Sequence, residues 1–346
     1  MNLDEDDFLK DDYIYFDWNA IQDLKSKIYY KKDSDPEANK KWIEFKNIQK
    51  KFRTPLSHAH FDDLMNSTDP IEIQKDLYFL SNEFCDGTLL VNIPKLRENV
   101  LTRFSKIKGV KTGYGVFEFY QDLINSNVSK EDKQEFKFKV SFPSIQVDTS
   151  KLKETSILNK YINDRGIFDS DSLEQLLSDC WENSDDVNFM NEFINSVREI
   201  KYYENAAHDY FPETQREEFK EMIIGLIKFS KISEKNIQEA NKFLDKYIKF
   251  IGKDINQLSK LEKMFIAYHI INFTNPRGAF GENFNKRNKP INFYLDCTHY
   301  LLASKSKMLV TGDSNFTKKA KALNLLGFSK FDIKKLDEIF EDIVVT

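Results

Sequence analysis

The chain of 346 residues has no run of about 18 uninterrupted apolar residues, the length a bilayer-spanning helix needs. Its acidic opening, Met1 to Asp12, lacks both the basic stretch and the apolar core of a secretory signal. The expectation is a cytoplasmic protein with no membrane contact. Cysteine is scarce: Cys85, Cys180 and Cys297 are odd in number, far apart and outside any CxxC pair. Neither a disulfide framework nor a zinc site follows from them, and reduced thiols are expected. A Gly-rich phosphate loop, a GxSxG elbow and an HExxH helix are all missing, which removes the chemistries those motifs carry. Fixed-period repeats and low-complexity tracts are missing too. There is no excess of positive charge. The formal net charge of -5 argues against binding nucleic acid by bulk charge alone.

A 40% hydrophobic and 31% charged composition describes a soluble globular chain, long enough for one large domain or two smaller ones. Basic side chains are locally grouped. Lys40, Lys41, Lys46, Lys50, Lys51 and Arg53 face only Glu44 in the same stretch. Arg277, Lys286, Arg287 and Lys289 share a loop, and Lys318, Lys319 and Lys321 follow Asp313. Each group reads either as a phosphate-binding face or as an ordinary solvated one.

Tyr13-Ile14-Tyr15-Phe16 reads as a buried strand delivering Asp17 to a sheet edge. Ala38 to Lys51 has helical spacing of Trp42, Phe45 and Ile48, and Phe52 to Leu56 reads as a second strand. Ser57 is placed to cap a helix through Met65, with His58, His60, Asp62 and Asp63 in its first two turns. A helix over Ile71 to Phe84 and a strand over Thr88 to Ile93 follow. Residues 96–289 are read as a mainly helical insertion. Its helices are Ser172 to Cys180, Val187 to Tyr203, Glu217 to Ser230 and Lys235 to Ile251, and Phe136 to Val147 is a strand or extended loop. The α/β pattern then returns. Asp296 opens a helix to Ser304, Met308 to Thr311 is a strand, Ser314 to Leu323 a helix, and a last strand near Leu325 precedes a helix through Phe340. The fold class is α/β with a central parallel sheet, split between residues 1–95 and 290–346.

Asp17, Asp63, Asp296 and Asp313 each stand where such an architecture points a side chain to one sheet edge. Converging carboxylates stay ionised only beside a cation, and Mg²⁺ or Mn²⁺ with oxygen ligands suits them. Such an ion activates water and stabilises the charge that develops on a phosphodiester. Singly, each aspartate is equally well explained as a helix N-cap.

On these residues the chain resembles nucleases of the PIN-like superfamily. The matching positions are Tyr15-Phe16-Asp17-Trp18-Asn19, Ser57-His58-Ala59-His60-Phe61-Asp62-Asp63-Leu64, Asp296 with His299 and Ala303, and Leu309-Val310-Thr311-Gly312-Asp313-Ser314-Asn315-Phe316. The resemblance implies a three-layer fold with Asp17, Asp63, Asp296 and Asp313 as the metal-binding acids. Asn19 and Thr311 would support them in metal-dependent endonucleolytic hydrolysis, usually of RNA. It also implies a role such as bacterial toxin or antiviral defence effector. The second acid is an aspartate where many relatives have glutamate. Asp62 competes with Asp63 for that role, and Leu64 favours Asp63.

His60 precedes Asp63 by three residues and His299 follows Asp296 by three, so each would share a helical face with an acid. Both read either as groups orienting carboxylates or contacting phosphate, or as buried structural histidines. The partner class is RNA or another single-stranded nucleic acid, with Trp42 or Phe316 available for stacking. The insertion offers a surface for a protein partner, and oligomerisation stays open. Two further readings compete. One is a catalytically silent scaffold for RNA or a protein. The other is a haloacid dehalogenase-type phosphatase, which Asn19 opposes by occupying the place of its general acid.

Overall fold

Tyr13, Ile14, Tyr15 and Phe16 are all at most 3% exposed, as a strand covered on both faces requires. In the computed structural model Ile14–Phe16 forms β1. The structure describes residues 13–65, 69–85, 89–90, 144–152, 154, 156–183, 186–202, 217, 221–222, 224–226, 228–229, 231–250, 254–274 and 291–342. Helix α1, Trp18–Asp23, starts directly after Asp17 and runs on through a π-helical turn, Leu24–Ile28, and a 3-10 turn, Tyr29–Lys31. Helix α2, Pro36–Lys51, opens on an Asp35 cap with proline at its first position and buries Trp42, Phe45 and Ile48. Strand β2 is Leu56–Ser57 and helix α3 is His58–Met65. Helix α4, Pro70–Phe79, continues as a π-helical turn, Leu80–Phe84, and β3 is Leu89–Leu90. There follow β4 Ile145–Gln146, β5 Ile167–Phe168, α5 Ser170–Glu182, α6 Val187–Tyr202, α7 Ile237–Phe250 and α8 Lys260–Thr274. The last elements are α9 Ile291–Ala303, β6 Met308–Val310, α10 Ser314–Leu325, β7 Asp332–Lys334 and α11 Leu336–Asp342.

The chain divides into two units. One comprises Met1–Lys133, Thr298–Asn324 and Ser329–Thr346, the other Gln134–Cys297 and Leu325–Phe328. In the first unit β1, β6 and β7 form a parallel sheet in the order β1-β6-β7, with Phe16 opposite Val310. Strand β2 pairs in parallel with β3, and its lead-in joins β1 through a parallel bridge between Tyr13 and Arg53. The chain therefore leaves β1 toward β2 on one side, while β6 and β7 fill the other. In open parallel sheets such a reversal, here at the C-terminal end of β1, marks where ligands commonly bind. Phe16, Phe45, Phe79 and Phe84 pack with Leu24, Leu56, Leu64 and Ile339 into the core behind it. In the second unit β4 and β5 pair antiparallel, and Ile157, Tyr161, Leu176, Met190 and Phe193 form a separate cluster. No helix among the described residues is long and apolar enough to cross a membrane.

Several sequence expectations need correction. Asp296 is the sixth residue of α9 and does not open it. The last strand is β7, not the segment near Leu325, which ends α10 before Gly327 takes up a left-handed φ of 82°. Trp42 and Phe316 are buried, at 8% and 1% exposure, and offer no face for base stacking. Lys319 is buried as well, which leaves Lys318 and Lys321 exposed on α10. Most of Glu217 to Ser230, the alternating Phe138, Val140 and Phe142, and the loop of Arg277, Lys286, Arg287 and Lys289 lie outside the described residues.

Candidate functional site

Parallel pairing of β1 with β6 brings the residues that follow each strand side by side. Asp17 caps α1, its Oδ1 accepting from Ala20 N at 2.7 Å, and its Oδ2 accepts from the Thr311 hydroxyl at 2.5 Å. The same Thr311 oxygen accepts from Asp313 N at 3.0 Å. One hydroxyl thus ties both loop ends, and both Asp17 and Thr311 are buried. Asp313 is half-buried and caps α10 with Oδ1, which accepts from Asn315 N at 2.6 Å and Phe316 N at 2.9 Å. Its Oδ2 makes no hydrogen bond among the described residues. Both acids therefore serve as N-caps with one oxygen, and Asp313 presents the other.

Asp63 reaches the same region from α3. Its Oδ2 accepts from His299 Nε2 at 2.7 Å. The histidine partner of Asp63 is therefore His299, on α9, and not His60 one turn away. His299 is 3% exposed, and its Nδ1 meets Tyr15 Oη at 2.7 Å. Tyr15 Oη in turn meets Ser57 Oγ at 2.8 Å. The Ser57 hydroxyl is engaged by Tyr15 and His60, not by an amide of the helix it precedes. His60 is fully buried. Its Nδ1 accepts from Ser57 N at 2.9 Å and its Nε2 donates to Phe16 O at 2.7 Å, so no ring nitrogen is left for a phosphate.

Asp62 is exposed by surface area, yet the protein around it desolvates its carboxyl. With the Asp63 charge adding and His299 opposing, this raises the carboxyl to about 7. Asp296 is half-buried, one helical turn before His299, where α9 passes from the second unit into the first. Asn19 is exposed in the first turn of α1.

No family model, curated protein or solved structure matches this chain. What the site can do therefore rests on its own chemistry.

One acid escaped the sequence reading. Asp23, at the end of α1, places its Oδ2 3.9 Å from where a Cβ on Gly312 would stand, beside the Thr311-Gly312-Asp313 loop. It is also bonded to Lys27 at 2.7 Å. Its six-residue distance from Asp17 belongs to no motif, and only the helix brings it there. Among the described residues no three His, Cys, Asp or Glu side chains already stand together as a group able to hold a metal ion. The donor chemistry nonetheless fits a small hard cation. Mg²⁺ keeps several waters and is commonly bound through one or two carboxylates together with substrate phosphates. Asp313 Oδ2 and the second oxygen of Asp63, which make no hydrogen bond among the described residues, are carboxylate positions of that kind.

Proposed function

We propose that the first unit is a Mg²⁺- or Mn²⁺-dependent nuclease of PIN-like type, acting on RNA or another single-stranded nucleic acid. The observation that carries this reading is the Thr311 hydroxyl, which holds Asp17 and the Asp313 loop together at the C-terminal ends of two neighbouring parallel strands. Asp313, Asp63 and Asp17 would hold the cation. The bound ion supplies an activated water and charge neutralisation at the phosphodiester. The chain's own contributions are positional. Thr311 fixes the orientation of the Asp17 carboxylate, the α10 cap fixes Asp313, and His299 fixes Asp63. Lys318 and Lys321, exposed on α10 beyond Asp313, are placed to grip phosphates.

The experiment is incubation with labelled single-stranded RNA, single-stranded DNA and duplex DNA, with Mg²⁺ or Mn²⁺. Asp17→Asn and Asp313→Asn should each reduce cleavage at least about 100-fold. Unchanged cleavage in both variants would sink the assignment. A silent scaffold is the second reading, favoured by the capping roles of Asp17 and Asp313. It expects no thermal stabilisation by millimolar Mn²⁺ and no difference between wild type and Asp313→Asn.

A further inference from the structure

Tyr15 is the centre of β1 and fully buried, a position where phenylalanine would fill nearly the same space without a polar atom to satisfy. Its hydroxyl instead lies between Ser57 Oγ at 2.8 Å and His299 Nδ1 at 2.7 Å. The ring stacks on His60, with centroids 5.1 Å apart and planes 24° apart. His60 is itself fastened at both nitrogens, to Ser57 N and Phe16 O. The phenol is thus held from the backbone side and aimed at His299.

The direction of each hydrogen bond follows from what each atom can do. An ionised Asp63 only accepts, so His299 donates from Nε2. The Nδ1 of the neutral ring then accepts, and Tyr15 is its donor. The single Ser57 Oγ–H is then given to Tyr15 Oη at 2.8 Å, which leaves the 3.1 Å approach of Ser57 Oγ to His60 Nδ1 without a hydrogen between them. A neutral phenol has one proton to give, and His299 Nδ1, with none of its own, is the acceptor 2.7 Å away. The series Ser57, Tyr15, His299, Asp63 therefore has one polarity, and it ends on a carboxylate whose other oxygen makes no hydrogen bond among the described residues.

We propose that Tyr15 is a positioning residue: its hydroxyl, set by Ser57, fixes the tautomer and orientation of His299 and so determines which oxygen of Asp63 is presented for binding. The proposal rests on the reading of Asp63 as a site acid given above. Groups that orient a ligand from behind are commonly worth 10- to 100-fold in metal affinity.

Two measurements on the full chain test it. The first is imidazole ¹⁵N–¹H NMR, with His299 assigned by loss of its signals in His299→Gln. Wild type should show His299 as the Nε2–H tautomer, and Tyr15→Phe should lose that single form. An Nδ1–H tautomer in wild type overturns the proposal while leaving the nuclease reading intact. The second is calorimetric titration with Mn²⁺. Tyr15→Phe should raise Kd about 10- to 100-fold, with Ser57→Ala shifting it in the same direction by less. A purely structural hydroxyl would lower the melting temperature equally with and without Mn²⁺ and leave Kd unchanged, which also overturns it. Should Tyr15→Phe fail to fold, Ser57→Ala and the wild-type spectrum decide. A wild type that binds no Mn²⁺ overturns both this proposal and the reading beneath it.

Discussion

At the residue scale, Thr311 concentrates the most consequence in one atom. Its Oγ donates to a buried carboxylate and accepts from the Asp313 amide. Thr311→Val keeps the shape and removes both bonds, taking the threonine donor away from the buried Asp17 carboxylate. A loss of about 1–3 kcal/mol in urea denaturation is expected, with cleavage reduced as well. A second residue-scale effect concerns Asp62. Its carboxyl holds a proton more tightly in the fold than at its ordinary value of 3.8. The native state is therefore favoured while the group is protonated, and that advantage is lost as pH rises from about 4 through about 7. Comparing wild type with Asp62→Asn across this window should show a flatter stability profile in the variant. An unchanged slope would assign the dependence to another group.

At the element scale, α4 is fastened to α1 and its π-helical turn by charge as well as by Leu77 and Phe79. The Lys25 ammonium pairs with Asp76, their side chains 5% and 8% exposed, and Gln22 donates to the same Asp76 oxygen at 2.8 Å. Glu72 stands 3.9 Å from Lys25 but is half-exposed. Asp76→Ala leaves a buried ammonium with only weak partners among the described residues, Glu72 and the Tyr30 ring 5.8 Å away, and a loss of about 3 kcal/mol is expected. Lys25→Met combined with Asp76→Leu should recover most of it in equilibrium denaturation. Recovery would show that the single variant's cost lies in the orphaned charge and not in the lost pair.

At the scale of the whole molecule, what was legible in the sequence was what local pattern determines. An unbroken apolar run marked β1 and hence where Asp17 stands. A helical period marked α2. The apolar stretch before Thr311-Gly312-Asp313 marked β6 and the loop that carries the acid. Strand β7 was missed because Asp332-Ile333-Lys334, which among the described strands pairs only with β6, is at the edge of that sheet, where polar side chains are tolerated and the alternation signal fades. The bond between His299 and Asp63 was illegible for another reason. Spacing within a helix pointed each histidine at the acid on its own helix, whereas the contact joins two helices 236 positions apart. Asp23 likewise reaches the Gly312 loop only through the folded path of α1.

The pairing of Tyr15 with Leu309 has a consequence in time. A ribosome adding about 5–20 residues per second completes the first of these strands tens of seconds before the second exists. Throughout that interval four large side chains destined for the deepest layer of the protein have no strand to lie against on one flank. Non-local pairings of this kind make folding slow. Most of the chain must emerge before the sheet can close, so the growing polypeptide carries a sticky, β-prone segment whose final pairing partner is made last.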